Sequence, residues 1–198
     1  MKTIKHKKTD KKSNFVESLR FLASSKNFII IVFAMFLAAF ILGVVYPHIM
    51  TDIILDVINN IIGKTENMNF FQLAVFIIYN NVKASLFGMI FGLLLGIFPL
   101  FVAAANGYIL GFVLNLAAKE NGLGEIWKIF PHGVFEIPAF VFSLGLGVRL
   151  GYTLLCNPKM LKNDFIMCLK TFVYIILPLL LVAGFIETGL IFLLKPGA

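Results

Sequence analysis

Two acidic side chains stand inside otherwise apolar stretches of this sequence, and one of them follows a histidine at helical spacing. His132 and Glu136 are four residues apart, so their side chains share one face if the segment is helical. Glu187 stands in a second apolar stretch, near the end of the chain. A carboxylate in lipid costs up to about 3 kcal/mol, so both acids are expected to face protein or water. Such groups can bind an ion, a substrate or a lipid head group.

Counting along the apolar stretches places both acids in the outer half of a membrane bundle, at similar depth. The same count places two asparagines at the outer mouth of the second span and one near the outer end of the third. The predicted polar layer consists of Asn80, Asn81, Asn115, His132, Glu136 and Glu187. Two interpretations stay open: a hydrogen-bonded cluster that fixes the register of the helices, or a binding site for a substrate, ion or lipid head group.

A metal centre or a catalytic centre has less support in the sequence. His132 and Glu136 supply two ligands where zinc needs three or four, and His48 would join them only through an accident of packing. The sequence contains no His-Glu-x-x-His motif, nucleotide-binding loop, nucleophile elbow or Ser/Lys dyad. We therefore expect no metal, no cofactor and no enzymatic activity.

The composition predicts the setting of these residues. Hydrophobic residues make up 60% of the chain and charged residues 14%, whereas soluble domains contain about 25% charged residues. This composition excludes a disordered chain, a nucleic-acid-binding domain and a disulfide-stapled secreted module. It predicts an all-α integral membrane protein with about five transmembrane helices and additional amphipathic interfacial helices. The predicted spans are 28–46, 84–105, 108–118, 131–155 and 171–194, with Asn106-Gly107 as the turn of a hairpin between the second and third.

Two segments are expected outside the membrane spans, one before the transmembrane bundle of residues 28–194 and one within that range. Residues 1–27 form a basic tail with a short amphipathic helix over 15–25, and its lysines favour a cytoplasmic N-terminus near anionic lipid. The outer segment, 47–82, contains an amphipathic helix over 52–63, because apolar and polar residues alternate there with the period of an α-helix. That helix would lie in the membrane interface or cap the bundle. The expected location is the cell membrane, with several passes.

Glycines recur at four-residue spacing in the second, third and fourth spans. This spacing leaves a groove on a helix into which the backbone of another helix can pack closely. Two interpretations stay open: packing inside the bundle, or a seam with a partner or a second copy of the chain. The residues concerned are Gly88, Gly92, Gly96, Gly107, Gly111, Gly147 and Gly151.

Taken together, these motifs resemble the stage II sporulation protein M family of multi-span membrane proteins. The resemblance covers roughly residues 28–194 and implies a five-span or similar α-helical bundle. It also implies a platform role, because the family's namesake in spore-forming bacteria recruits partners that degrade peptidoglycan and is not itself known as a hydrolase. The motifs that carry it are Asn80-Asn81, Asn106-Gly107 followed by Gly111, Pro131-His132-Gly133-x-x-Glu136-x-Pro138-Ala139, and the later glycines Gly145, Gly147 and Gly151.

Two functions from different classes are compatible with these expectations. The first is a non-enzymatic scaffold that docks partner proteins at the membrane, with the outer segment as its docking cap. The second is a transporter, channel or lipid-translocating protein in which Glu136, Glu187 and His132 line a cavity open to the outer side; an intramembrane hydrolase is a distant third. The expected partners are the lipid bilayer and other membrane or extracytoplasmic proteins, with a homo-oligomer as a further option. Nucleic acid is not expected, because the excess basic residues lie in the tail.

Overall fold

The structure is a computed structural model that describes the backbone of residues 3–121 and 130–194 and the side chains of residues 13–119 and 133–193. Within these ranges the regular elements are all helical, and five stretches are long and apolar enough to cross a membrane. They are Lys26–Val45, Phe70–Leu93, Ile97–Lys119, Gly133–Cys156 and Pro158–Leu193. The fold class predicted from the sequence is therefore confirmed.

The described residues form eight α-helices, with short 3-10 or π-helical segments between some of them. The helices are α1 (Thr3–Ser24), α2 (Lys26–Val45), α3 (Thr51–Thr65), α4 (Phe70–Ile90), α5 (Ile97–Asn121), α6 (Phe130–Cys156), α7 (Leu161–Thr171) and α8 (Leu177–Leu194). A π-helical segment, Phe172–Ile176, joins α7 to α8 just before Pro178, whose missing N–H group interrupts regular α-helical bonding. We call the end of the bundle where α2 begins the inner end, following the orientation predicted from charge, and the opposite end the outer end.

Close backbone contacts at glycines set the relative directions of α2 and α5. Gly107 packs against the backbone of Phe36, and Gly111 packs against the backbone of Phe40 one turn later. Since both residue numbers rise together, the two helices run parallel, and a Cβ atom at either glycine would collide with the facing backbone. All seven glycines singled out in the sequence contact another segment of this same chain. For these residues the structure shows packing inside the bundle.

Helix α6 is the centre of the bundle and contacts α2, α4, α5 and α8. Its direction is parallel to α4, because the Ser143 hydroxyl donates a 2.8 Å hydrogen bond to the Ser85 carbonyl and Gly147 lies against Gly92 one turn further on. Leu144 and neighbouring apolar side chains of α6 are fully buried. Each of the other four spans therefore packs against α6.

The turn between the second and third spans lies at residues 94–96, so the prediction of a hairpin at Asn106-Gly107 is wrong. Leu95 and Gly96 have φ angles of 58° and 73°, a left-handed conformation that glycine adopts freely and leucine rarely. Asn106 and Gly107 lie inside α5, where the Asn106 amide donates to the Val102 carbonyl one turn earlier. Gly107 meets α2, so the small residue that suggested a turn serves a helix contact.

The second span also begins earlier than predicted, at Phe70 instead of residue 84. Asn69 and Gln72 form a capping box, in which each side chain accepts a 3.0 Å hydrogen bond from the backbone N–H of the other. The predicted outer segment 47–82 therefore includes the first half of a candidate span, and Asn80 and Asn81 lie in the middle of α4 instead of at its mouth. The start of the second span was predicted too late because polar residues lie within this span.

Candidate functional site

Glu136 and Glu187 lie at one level in the outer half of the bundle. Glu136 stands two turns outward from Ser143 on the same face of α6, which is the face that contacts α4. Because α4 and α6 run parallel, this register places Glu136 at the level of Ile78 in α4. Ile78 packs against Gly184 of α8, one turn before Glu187. The junction of α4, α6 and α8 thus brings the two acids together.

The register brings the two carboxyl groups near each other, and two neighbouring carboxylates cannot both be ionised without repulsion. Both side chains are partly buried, and the hydrogen bonds and ion pairs among the described side chains involve neither of them. Two neighbouring carboxylates within a membrane bundle can share a proton or bind a cation, since each ionised group raises the energy of the other. We call Glu136 and Glu187 the acid pair.

The remaining members of the predicted polar layer have separate positions. The Asn115 amide donates a 2.8 Å hydrogen bond to a backbone carbonyl of α2, far round the bundle from α8. Asn80 is exposed on the outside of α4, whereas Asn81 is partly buried one turn outward from Ser85. His132 belongs to α6 at helical spacing from the acid pair, but its side chain lies outside the described residues. Over the ranges that the structure describes, no three histidine, cysteine or carboxylate side chains converge to hold a metal.

A second polar cluster, at the inner end, was not predicted from the sequence. Arg149 of α6 pairs with Asp164 of α7, with 3.0 Å between Nε and Oδ2. Its Nη1 donates to the Ser24 and Ser25 hydroxyls at 2.7 and 2.9 Å, and the Thr153 hydroxyl donates to Asp164 Oδ2 at 2.9 Å. We call these five residues the Arg149 cluster. It joins the junction of α1 and α2 to the inner ends of α6 and α7.

The Arg149 cluster is saturated by contacts within the chain. Nε and Nη2 of Arg149 face both oxygens of Asp164 and Nη1 serves two hydroxyls, so four of the five guanidinium donors are used. The guanidinium carbon also lies 3.9 Å from the centre of the Phe21 ring. The cluster is suited to fastening three helices together, and it offers little to an added ligand.

Sequence reasoning missed this cluster although it contains two usable signals. Arg149 is a lone basic residue within an apolar span, and Asp164 is the one acidic residue of segment 157–170. A charged side chain that is removed from water requires a partner of opposite charge. The pairing becomes visible only when the turn at Pro158–Met160 folds α7 back along α6.

Comparisons with known proteins agree with this membrane fold. The family model described as Stage II sporulation protein M matches residues 29–190. The uncharacterized protein MJ0706 of Methanocaldococcus jannaschii is 44% identical over 66 residues, which are 33% of this chain and 29% of that relative. The match therefore spans less than a third of the relative's length. No solved structure matches the chain.

Proposed function

Because the chain belongs to the stage II sporulation protein M family, we propose that it is a multi-pass protein of the cell membrane that serves as a non-enzymatic scaffold for partner proteins. The family match and the five candidate spans support its place in a membrane. The non-enzymatic role rests on the sequence, which contains no recognisable catalytic motif. The docking role rests on the helix that lies outside the spans, α3.

The observation that carries the docking role is the exposed apolar face of α3. Ile53, Val57 and Ile61 follow one another at four-residue spacing and are 60%, 47% and 43% exposed. Ile54, next to Ile53 in sequence, is 3% exposed and is the buried residue of α3. Because the exposed row continues over two turns, it forms a strip and not a set of scattered apolar residues.

The charge of α3 favours a protein over the membrane surface as the occupant of this strip. The polar side of the helix carries Asp52 and Asp56, with Lys64 as its one basic residue. Helices that lie on membranes typically carry lysine and arginine, which attract anionic lipids, whereas aspartates are repelled by them. We assign the strip to an extracytoplasmic protein segment whose apolar side chains are flanked by basic residues. A shallow apolar groove lined by Ile62 and Ile191 continues the strip at the end of α3.

Site-specific photo-crosslinking in the membranes of the native host tests this proposal. A photoreactive residue at Val57 is expected to capture one protein of constant mass, while the same residue at Asn60, on the polar side, is the matched control. Replacing Ile53 and Ile61 with aspartate should abolish the protein adduct without changing the amount of protein in the membrane. Lipid adducts alone at Val57, or identical protein adducts at both positions, would contradict the proposal.

Transport is a second candidate, favoured specifically by the acid pair. Two neighbouring carboxyl groups inside a bundle are an arrangement suited to carrying a proton or cation. Flux of protons or cations, or lipid scrambling, in proteoliposomes would support this function if it is lost in the Glu136→Gln variant. Wild-type proteoliposomes without any flux or scrambling would remove it.

A further inference from the structure

Lys83 occupies an unusual place, in the middle of the second candidate span and on the outside of the bundle. The span runs from Phe70 to Leu93, so Lys83 lies about 20 Å from the outer end and about 15 Å from the inner end. Its side chain is exposed, whereas Ser85 and Met89 on the opposite side of α4 are buried against the bundle. A bilayer around the span would thus surround this ammonium group with hydrocarbon.

The Lys83 side chain cannot reach water from this position. Side chains on a helix lean towards its N-terminus, which for α4 is the outer end. The Lys83 ammonium accordingly lies over the ring of Tyr79, 5.9 Å from its centre. Tyr79 itself is still about 14 Å from the start of the span, so the charge stays deep in the membrane.

The chain supplies no counter-ion for Lys83 among its described residues. The ion pairs found there involve Arg149 and Lys170, and the acid pair at the nearest level faces the interior of the bundle. The ring of Tyr79 attracts the ammonium but carries no charge that would neutralise it. A lysine exposed to lipid at this depth costs about 3 kcal/mol, so a group from another molecule is expected to cover it.

The surface around Lys83 has the form of a helix-binding strip. Tyr79 and Phe87 lie on the same side of α4 as Lys83, and Phe91, directly after α4, stacks on Phe87; the three rings are 65%, 47% and 40% exposed. Asn80 is exposed beside Lys83 and offers both a hydrogen-bond donor and an acceptor. A helix lying along α4 would cover the aromatic rings above and below and reach the charge in the middle.

We propose that this face of α4 binds a transmembrane helix of a different protein that carries a carboxylate near the middle of the bilayer. The inference rests on the proposed scaffold function and adds the chemistry of one partner. A second copy of the chain does not fit, because a two-fold contact along this face sets Lys83 against Lys83. A lipid phosphate does not fit either, because it would have to move about 15 Å from the head-group region into the membrane.

Binding of synthetic transmembrane helices tests the proposal with defined probes. The labelled full-length protein is placed in phosphatidylcholine vesicles with leucine-rich helices that carry glutamate, glutamine or leucine at their centre, and energy transfer measures association. The glutamate helix should bind wild-type protein about tenfold more tightly than the leucine helix. The preference should vanish in Lys83→Leu, persist in Lys83→Arg, and reverse in Lys83→Glu towards a helix with a central lysine. Arg20→Leu, which removes an exposed basic side chain of α1 outside the five candidate spans, is the matched control and should keep the preference.

Equal binding of the glutamate and leucine helices, or an unchanged preference in Lys83→Leu, would overturn the proposal. So would phosphatidylglycerol that displaces the glutamate helix from wild-type protein, since it would assign the site to an anionic lipid. Because Lys83→Leu removes a charge from lipid, the variant should fold. An unfolding measurement in detergent verifies that it does. The crosslink at Val57 is measured in the same variant: if the adduct forms while the helix preference fails, the scaffold function stands and only this inference falls.

Discussion

At the inner end of the bundle, the Arg149 cluster pairs one cation with one anion, and three hydroxyl groups bond to the pair; in the outer half, the acid pair sets two carboxyl groups side by side. The first arrangement joins three helices, because its members come from α1, α6 and α7 and from Ser25, the residue between α1 and α2. The second brings an acid of α6 and an acid of α8 together, and the ion pairs among the described residues supply neither with a cation. The difference shows that the charges at the inner end are balanced and hold helices together, whereas the acid pair has no balancing charge among the described residues.

The largest effect is expected from a substitution that breaks the Arg149 cluster. Arg149→Leu leaves Asp164 buried with one hydroxyl donor, and should lower the free energy of unfolding by about 3 kcal/mol. Unfolding in mixed micelles titrated with sodium dodecyl sulfate measures this loss. The double variant Arg149→Leu/Asp164→Leu should recover part of the stability, because no charge is then left unpaired. A double variant less stable than the single one would show that the cluster does not act through charge balance.

The second-largest expected effect tests close packing at the same end of the bundle, independently of charge pairing. Gly92→Ala puts a Cβ atom into the backbone of Gly147 and should cost about 2 kcal/mol in the same unfolding measurement. Gly189→Ala is the matched control, because no atom lies within 4 Å of the added Cβ. Equal effects of the two substitutions would mean that the contact between α4 and α6 is looser than the structure shows.

The smallest expected effect has the opposite sign and tests the acid pair. Glu136→Gln replaces one of two neighbouring, partly buried acids with a neutral amide, which costs less to bury in the bundle than a carboxylate, and should raise the free energy of unfolding by about 1 kcal/mol. Asn115→Leu is the contrasting control, since it deletes a hydrogen bond to α2 and should destabilise the protein. A clear loss of stability in Glu136→Gln would instead support the interpretation of a hydrogen-bonded cluster that fixes helix register.

The sequence predicted the spans where long apolar runs are bounded by charge or proline. Residues 28–46 and 131–155 match α2 and α6 to within two residues, and the predicted amphipathic helix over 52–63 lies within α3. The prediction from sequence failed where one residue type has two structural uses. Glycine and asparagine form turns, but they also permit close helix contacts, so Asn106-Gly107 was assigned to a turn that the chain makes at residues 94–96.

By itself the sequence determined that this is a helical membrane protein with two acids at similar depth, because span length and distance from a span's end follow from counting residues along one helix. Only the tertiary structure decided which face meets which neighbour. It joined Arg149 to Asp164, turned Glu136 towards α4 and α8, and left Lys83 on the outside of the bundle. The physical reason is that the period of a helix defines its faces, whereas the partner of each face depends on contacts between residues far apart in the chain.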